Sequence, residues 1–211
     1  MILLSYTYYN YTLPPSICGS PKNQQPKEPN MRIIIDMDEV MADNFPSFYR
    51  EAKERFGIVV GPEDHVGKKV YDLPGLAGVR KILYEKGHFR DLPVIENAVE
   101  VIRELYEHYE VYIVTTATEF RYSFLDKYEW LEEHFPFIHH SRIVFCGDKS
   151  IVHGDFMIDD KAKNLATFSG TGLLFTSSPN LNERRYHRLN NWLDVRDYFR
   201  QERAGRTLDE A

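Results

Sequence analysis

Five short apolar runs, rich in β-branched residues and each closed by polar ones, recur along the chain: Ile33–Ile35, Val111–Val114, Ile143–Phe145, Phe156–Ile158 and Leu173–Phe175. A strand with one face in water alternates apolar and polar residues. These runs do not alternate, so they read as strands buried on both faces, the habit of a parallel sheet. Between them apolar residues return at helical spacing, as in Val99, Ile102, Leu105 or Tyr106, and Tyr109, and again in Phe124, Tyr128, Leu131 and Phe135. Strands alternating with helices define βαβ units and predict a doubly wound α/β fold.

The interval between the first two strands is too long for one crossover helix. Residues 44–92 contain two expected helices, near 46–56 and 76–86, split by Gly61-Pro62 and Pro74-Gly75. This segment reads as a small helical cap inserted after strand one, leaving 31–43 and 93–200 as the α/β core. Residues 1–30 hold five prolines and no sustained apolar period, which reads as an irregular extension, with Met31 as a candidate natural start. The tail from about Gln201 to Ala211 is polar and expected to fray.

Chemistry gathers where the strands end. Asp36 and Asp38 follow strand one, Thr115 and Thr116 follow strand two, Lys149 follows strand three, and Asp159-Asp160 closes strand four. In a parallel α/β sheet ligands bind beyond the carboxyl ends of the strands, so these residues are expected in one site. Clustered carboxylates repel one another unless a cation or a lysine stands between them. Carboxylates suit a hard cation such as Mg²⁺, while hydroxyl and ammonium donors suit phosphoryl oxygens. Together they describe phosphoryl transfer, in which an aspartate carboxylate can be the nucleophile.

Asp36-Met37-Asp38, Thr115, Lys149 and Asp159-Asp160 resemble the four motifs of the haloacid dehalogenase superfamily. The stretches Asp36 to Asp43, Lys127-Tyr128-Glu129-Trp130-Leu131, and Asp148-Lys149 through Ile158-Asp159-Asp160-Lys161 resemble more narrowly the 5′(3′)-deoxyribonucleotidase family, its bacterial branch above all. The resemblance covers about residues 31–199. It implies a Rossmann-type core with a cap, and a Mg²⁺-dependent phosphatase acting on nucleoside monophosphates. It implies Asp36 as nucleophile and metal ligand. Asp38 would be general acid/base, with its main-chain carbonyl on the metal. Thr115, with Thr116 beside it, and Lys149 would hold the phosphoryl group, and Asp159 would complete the metal site with Asp160 close by. An alkoxide leaving group needs a proton, so an acid at position 38 argues for a phosphatase rather than a dehalogenase.

The chain departs from the family at several positions. Glu39 stands where many relatives have Gly, Asn44 where mammalian members place a base-stacking Phe, Gly147 where they have an Arg, and Thr116-Ala117 where they have Ser-Pro. Phe45, Phe48, Tyr71, Phe89 and Arg90 are candidate replacement contacts to a base, with cap packing as the simpler reading. The same chemistry on another small phosphate monoester is the alternative. A non-enzymatic phospho-acceptor or binding module is the remote alternative; the order of the motifs and the insert count against the first, and the presence of every required side chain against the second. Gly61 and Gly67-Lys68-Lys69 miss the phosphate-loop spacing and lack the Ser or Thr after Lys. His134, His139 and His140 read as surface residues, and Cys146 as a small buried one.

Composition narrows the partners. With 26 Lys plus Arg against 32 Asp plus Glu the formal charge is −6, a poor match for a nucleic-acid polymer or an anionic membrane. Two cysteines exclude a disulfide scaffold, and no apolar run approaches the roughly 20 residues that span a bilayer. The expected setting is cytoplasmic, the expected partner a small-molecule nucleotide, and a homodimer is compatible with all of this.

Overall fold

The computed structural model describes residues 31–209; the irregular extension expected over 1–30 lies outside them. Six strands form one all-parallel sheet: β1 (Arg32–Ile35), β2 (Glu110–Thr116), β3 (Ile143–Cys146), β4 (Phe156–Asp159), β5 (Thr171–Phe175) and β6 (His187–Leu189), in the order β3-β2-β1-β4-β5-β6. The helices are α1 (Phe45–Phe56), α2 (Ala98–His108), α3 (Ser123–His134), α4 (Ala162–Leu165) and α5 (Trp192–Asp209). This is the doubly wound α/β fold that the alternating pattern predicts.

Strand β1 lies between β2 and β4, with Ile35 paired to both Ile113 and Ile158. Its side chains divide between two cores, as a fully covered strand requires. Ile33 and Ile35 join the larger core with Val101, Ile102 and Leu105 of α2 and Val195 and Phe199 of α5. Ile34 joins a smaller one with Val114, Met157 and Leu174. The succession of strands turns back at β1 and β4, and a crevice opens at the carboxyl ends there.

After β1 the chain makes a tight turn. The Met37 carbonyl accepts from Met41 N at 2.8 Å and Ala42 N at 2.9 Å. Glu39 takes a left-handed backbone here, φ 59°, a conformation that costs a side-chain-bearing residue about 1–2 kcal/mol and glycine nothing. The indole of Trp192 buttresses the turn from α5, donating to Val40 O at 2.7 Å.

In the segment expected as a helical cap, α1 forms where the first helix is predicted. The second stretch, Ala77–Tyr84, is 3-10 rather than α-helix. The whole stretch 62–84 proceeds as three such short turns, Gly75 taking a positive φ just before the last. The tail differs from its expectation more plainly. Helix α5 runs on to Asp209, through the polar residues expected to fray, and Arg200 pairs with Glu104 of α2 at 2.8 Å. No helix among the described residues is long and apolar enough to cross a membrane.

Candidate active site

The parallel register sets the site. Asp36 follows β1 directly, and its N–H continues the ladder to Ile158 O at 3.0 Å, which brings it beside Asp159 at the end of β4. Thr115 and Thr116 are the last residues of β2. Lys149 opens a 3-10 turn after β3, whose start Asp148 caps by accepting from Ser150 N at 2.9 Å. Lys149 reaches back under the strand ends. Its Nζ lies 2.7 Å from Asp36 Oδ1 and 2.7 Å from Asp159 Oδ2, and all three side chains are buried. The predicted residues Asp36, Lys149, Asp159 and Asp160 therefore meet in one place.

Charge balance decides how these groups ionise. Burial raises the Asp36 carboxyl, but Lys149, with Lys161 and Lys127, outweighs it and holds the group below its ordinary value. Burial likewise opposes the charge on Lys149, and Asp36 and Asp159 more than restore it. Asp159 is raised by burial and by Asp36. Asp160 is pushed up to about 7, by burial first and then by Asp159 and Asp36, against the pull of Lys161. Glu39 is raised well above the usual carboxylate range by burial, then Asp160 and Asp38.

The donor set fits a hard divalent cation. One oxygen each from Asp36, Asp159 and Asp160 lies within 4.8 Å of the others, and all three residues are buried. Asp160 Oδ1 has no hydrogen-bond partner among the described residues, and two of the three carboxyls carry an elevated proton affinity that a cation would relieve. The Asp38 carboxylate is not part of this group and pairs with Lys127 at 2.7 Å.

The sign of the pH effect follows. Folded Asp160 keeps its proton up to about 7, whereas the unfolded chain releases it in the ordinary range near 3.8. Stability contributed by this group is thus full below that range and lost as pH rises toward 7. A cation that replaces the proton should stabilise most where the proton is gone. Added Mg²⁺ is expected to raise the melting temperature more at pH 8 than at pH 5; an equal rise at both would remove Asp160 from the cation site.

Several residues of the site were not singled out from sequence. Asn164 of α4 donates to Asp159 Oδ2 at 2.9 Å, and Lys161 N donates to Asp159 Oδ1 at 2.8 Å. Ser177 Oγ donates to Asp160 Oδ2 at 3.3 Å. Lys127, fully buried, donates to Asp38 Oδ2 at 2.7 Å, Thr115 Oγ1 at 2.9 Å and Thr116 O at 3.0 Å. Its signal was available: Lys127 opens the Lys127-Tyr128-Glu129-Trp130-Leu131 stretch that carries the family resemblance, though no role was read for it.

Above the strand ends opens a cleft of about 890 Å³, walled by Asp38, Glu39, Thr116, Lys149, Asp160 and Lys161 below and by residues 44–89 above. Phe45, Phe48, Tyr71 and Phe89 line it. Arg90, expected with them, does not; it pairs with Glu133 and Glu129 of α3. Arg80 borders the cleft. Asn44 is buried, its Oδ1 accepting from His88 Nε2 at 2.8 Å and its Nδ2 lying 3.5 Å from Glu39 Oε2. Burial pushes His88 down to about 4, so the ring is neutral.

The sheet order and the lysine-bridged carboxylate pair at its switch point agree with the haloacid dehalogenase-like fold that the motifs resemble. Solved structures agree in fold. A haloacid dehalogenase-like hydrolase from Streptococcus pneumoniae superposes with a TM-score of 0.54 at 14% identity, over 81% of this chain and 98% of that one. A HAD family hydrolase from Deinococcus radiodurans, with bound phosphate and sodium, gives 0.53 at 14% over 82% and 96%. Sequence kinship is closer. The family model "5′ nucleotidase, deoxy (Pyrimidine), cytosolic type C protein" matches residues 30–204. A putative 5′(3′)-deoxyribonucleotidase of Staphylococcus epidermidis is 45% identical over 170 residues, 80% of this chain and 95% of the relative. The 5′(3′)-deoxyribonucleotidase of Bacillus subtilis is 39% identical over 166 residues, 77% and 95%. The chain belongs to this deoxyribonucleotidase family, and is with it a phosphoric monoester hydrolase.

Proposed function

We propose that the protein hydrolyses nucleoside monophosphates, 5′(3′)-deoxyribonucleotides by kinship, through an aspartyl-phosphate on Asp36. The observation that carries this is the Lys149 bridge, 2.7 Å to Asp36 and 2.7 Å to Asp159, at the floor of an aromatic-lined cleft. Asp36 is kept ionised by its lysines and so ready to attack phosphorus. Lys149, together with the Thr115 and Thr116 hydroxyls, neutralises and orients the phosphoryl oxygens. Asp38 gives a proton to the departing nucleoside oxygen and then takes one from the water that cleaves the acyl phosphate. Asp36, Asp159 and Asp160 would hold Mg²⁺ with the Asp38 carbonyl, and the ion supplies further neutralisation of phosphoryl charge when bound.

The segment 44–92 is proposed as the specificity cap. Asn44, buried and tied to His88, is no stacking platform, so Phe45, Phe48, Tyr71 and Phe89 are the residues available to a base. This change also favours the second reading, another small phosphate monoester. A phosphate-release panel with Mg²⁺, covering nucleoside and deoxynucleoside monophosphates, sugar phosphates and an aryl phosphate, decides between them. Highest kcat/KM on nucleotides is expected; a sugar phosphate well ahead of every nucleotide would overturn the substrate assignment.

Asp38→Asn tests the acid. It should slow nucleotide hydrolysis by about 10²–10⁴-fold, while an aryl ester, whose leaving group needs the proton less, loses less whenever phosphorylation limits the rate. Equal losses with phosphorylation limiting would withdraw the role.

A further inference from the structure

We propose that Lys127 is a positioning residue for the reaction: it anchors one oxygen of Asp38 and aims the other at the leaving group, its remaining donors being taken up by Thr115 and Thr116. This rests on the proposed role of Asp38 as proton donor. Lys127 is fully buried, and a buried ammonium is retained only where its donors are satisfied. It has three N–H donors and three acceptors: Asp38 Oδ2 at 2.7 Å, Thr115 Oγ1 at 2.9 Å and Thr116 O at 3.0 Å. None is left over for a phosphoryl oxygen. That separates Lys127 from Lys149 and gives it a task other than binding substrate.

The complementary fact lies on Asp38. Its Oδ2 is held by Lys127, and its Oδ1 has no hydrogen-bond partner among the described residues. The proton to be delivered therefore belongs on Oδ1, because Oδ2 already accepts from an ammonium. Without Lys127 nothing described would hold the carboxyl in one rotamer, and near-attack geometry would become one state among several.

Lys127 is also where the acid meets the cap segment. Its Nζ sits 4.7 Å from the centre of the Phe89 ring. On either side, α3 grips the returning chain: Asp126 Oδ2 accepts from Gly87 N at 2.8 Å, and Trp130 Nε1 donates to Leu92 O at 2.7 Å. Those two grips remain when Lys127 is replaced, so a Lys127 variant is expected to keep the helix and the segment docked.

The test is a double-mutant cycle of Lys127→Met and Asp38→Asn, read on a nucleoside monophosphate and an aryl phosphate, with melting curves for all four proteins. Lys127→Met is expected to lower kcat on the nucleotide about 10²-fold, within the range of acid/base catalysis, and on the aryl ester much less. In the Asp38→Asn background it should cost less than about 3-fold, because residues that act as a unit are not additive. Should the Met variant fail to fold, Lys127→Gln, which keeps a donor, takes its place in the same cycle. Equal losses on both esters, or an undiminished cost in the Asp38→Asn background, would overturn the role and leave Lys127 a core residue. A wild-type protein inert on every ester would instead overturn the proposed function on which the role rests.

Discussion

Asp36→Asn is expected to bring phosphate release to background, a loss on the order of 10⁴-fold or more as for other covalent nucleophiles, while the protein still folds. The amide has nearly the size of the carboxylate. Its oxygen can still accept from Met37 N, now at 2.8 Å, and the main-chain bond to Ile158 O is untouched. What disappears is the anion. An amide oxygen does not attack a phosphate ester, and Lys149 keeps only Asp159 as a charged partner. The variant should melt as one cooperative unit and respond less to Mg²⁺. Residual turnover above a hundredth of wild type by a preparation free of deamidation would remove Asp36 as nucleophile.

Lys149→Met is expected to be nearly as severe and to differ in kind. Lys149 is the ammonium between two buried carboxylates, and removing one member of a buried ionic cluster typically costs about 3–5 kcal/mol. Asp36 loses the first of the lysines that keep it ionised, so its carboxyl should take up protons more readily and attack more slowly. The phosphoryl group loses a donor as well, a type of contact typically worth about 10²–10³-fold in rate. Two readouts therefore move together: the melting temperature falls, and kcat falls by at least about 10³-fold. A divalent cation should recover part of the stability, by neutralising the same carboxylates, and little of the rate. A variant as stable and as active as wild type would show that the bridge is incidental.

The legible and illegible parts of the chain divide on physical grounds. The five apolar runs could be read because a strand covered on both faces has no polar alternation to confuse it. Strand β6, His187-Arg188-Leu189, was not singled out, because an edge strand of three residues with two polar ones carries no such signal. In α3 the apolar spacing Phe124, Tyr128, Leu131 and Phe135 pointed to a face about one residue off. Phe124 is exposed, while Ser123, Lys127, Trp130 and Leu131 are buried. The inward face of that helix looks at the active site and is partly polar, so hydrophobicity alone rotated the reading. Lys127 was legible as part of the family stretch, but its place on the inward face was not. The tail expected to fray from about Gln201 is instead helical to Asp209, and Arg200 and Arg203 pair with Glu104 of α2, a contact that no local pattern announces. The acidic residues of the site were legible because four strand ends carried the right chemical types in order. The aromatics Phe45, Phe48, Tyr71 and Phe89 were legible, and all four line the cleft; the arginine was not, for Arg90 turned to α3 whereas Arg80 borders the cleft.

The most direct test is to mix the protein with a deoxynucleoside monophosphate carrying a labelled phosphoryl group, with Mg²⁺, quench in acid within the first turnover and map the label. The account predicts an acid-stable, alkali-labile acyl phosphate on the peptide containing Asp36, absent from Asp36→Asn. Release of labelled phosphate with no labelled protein at any time point, or a label on another residue, would contradict it.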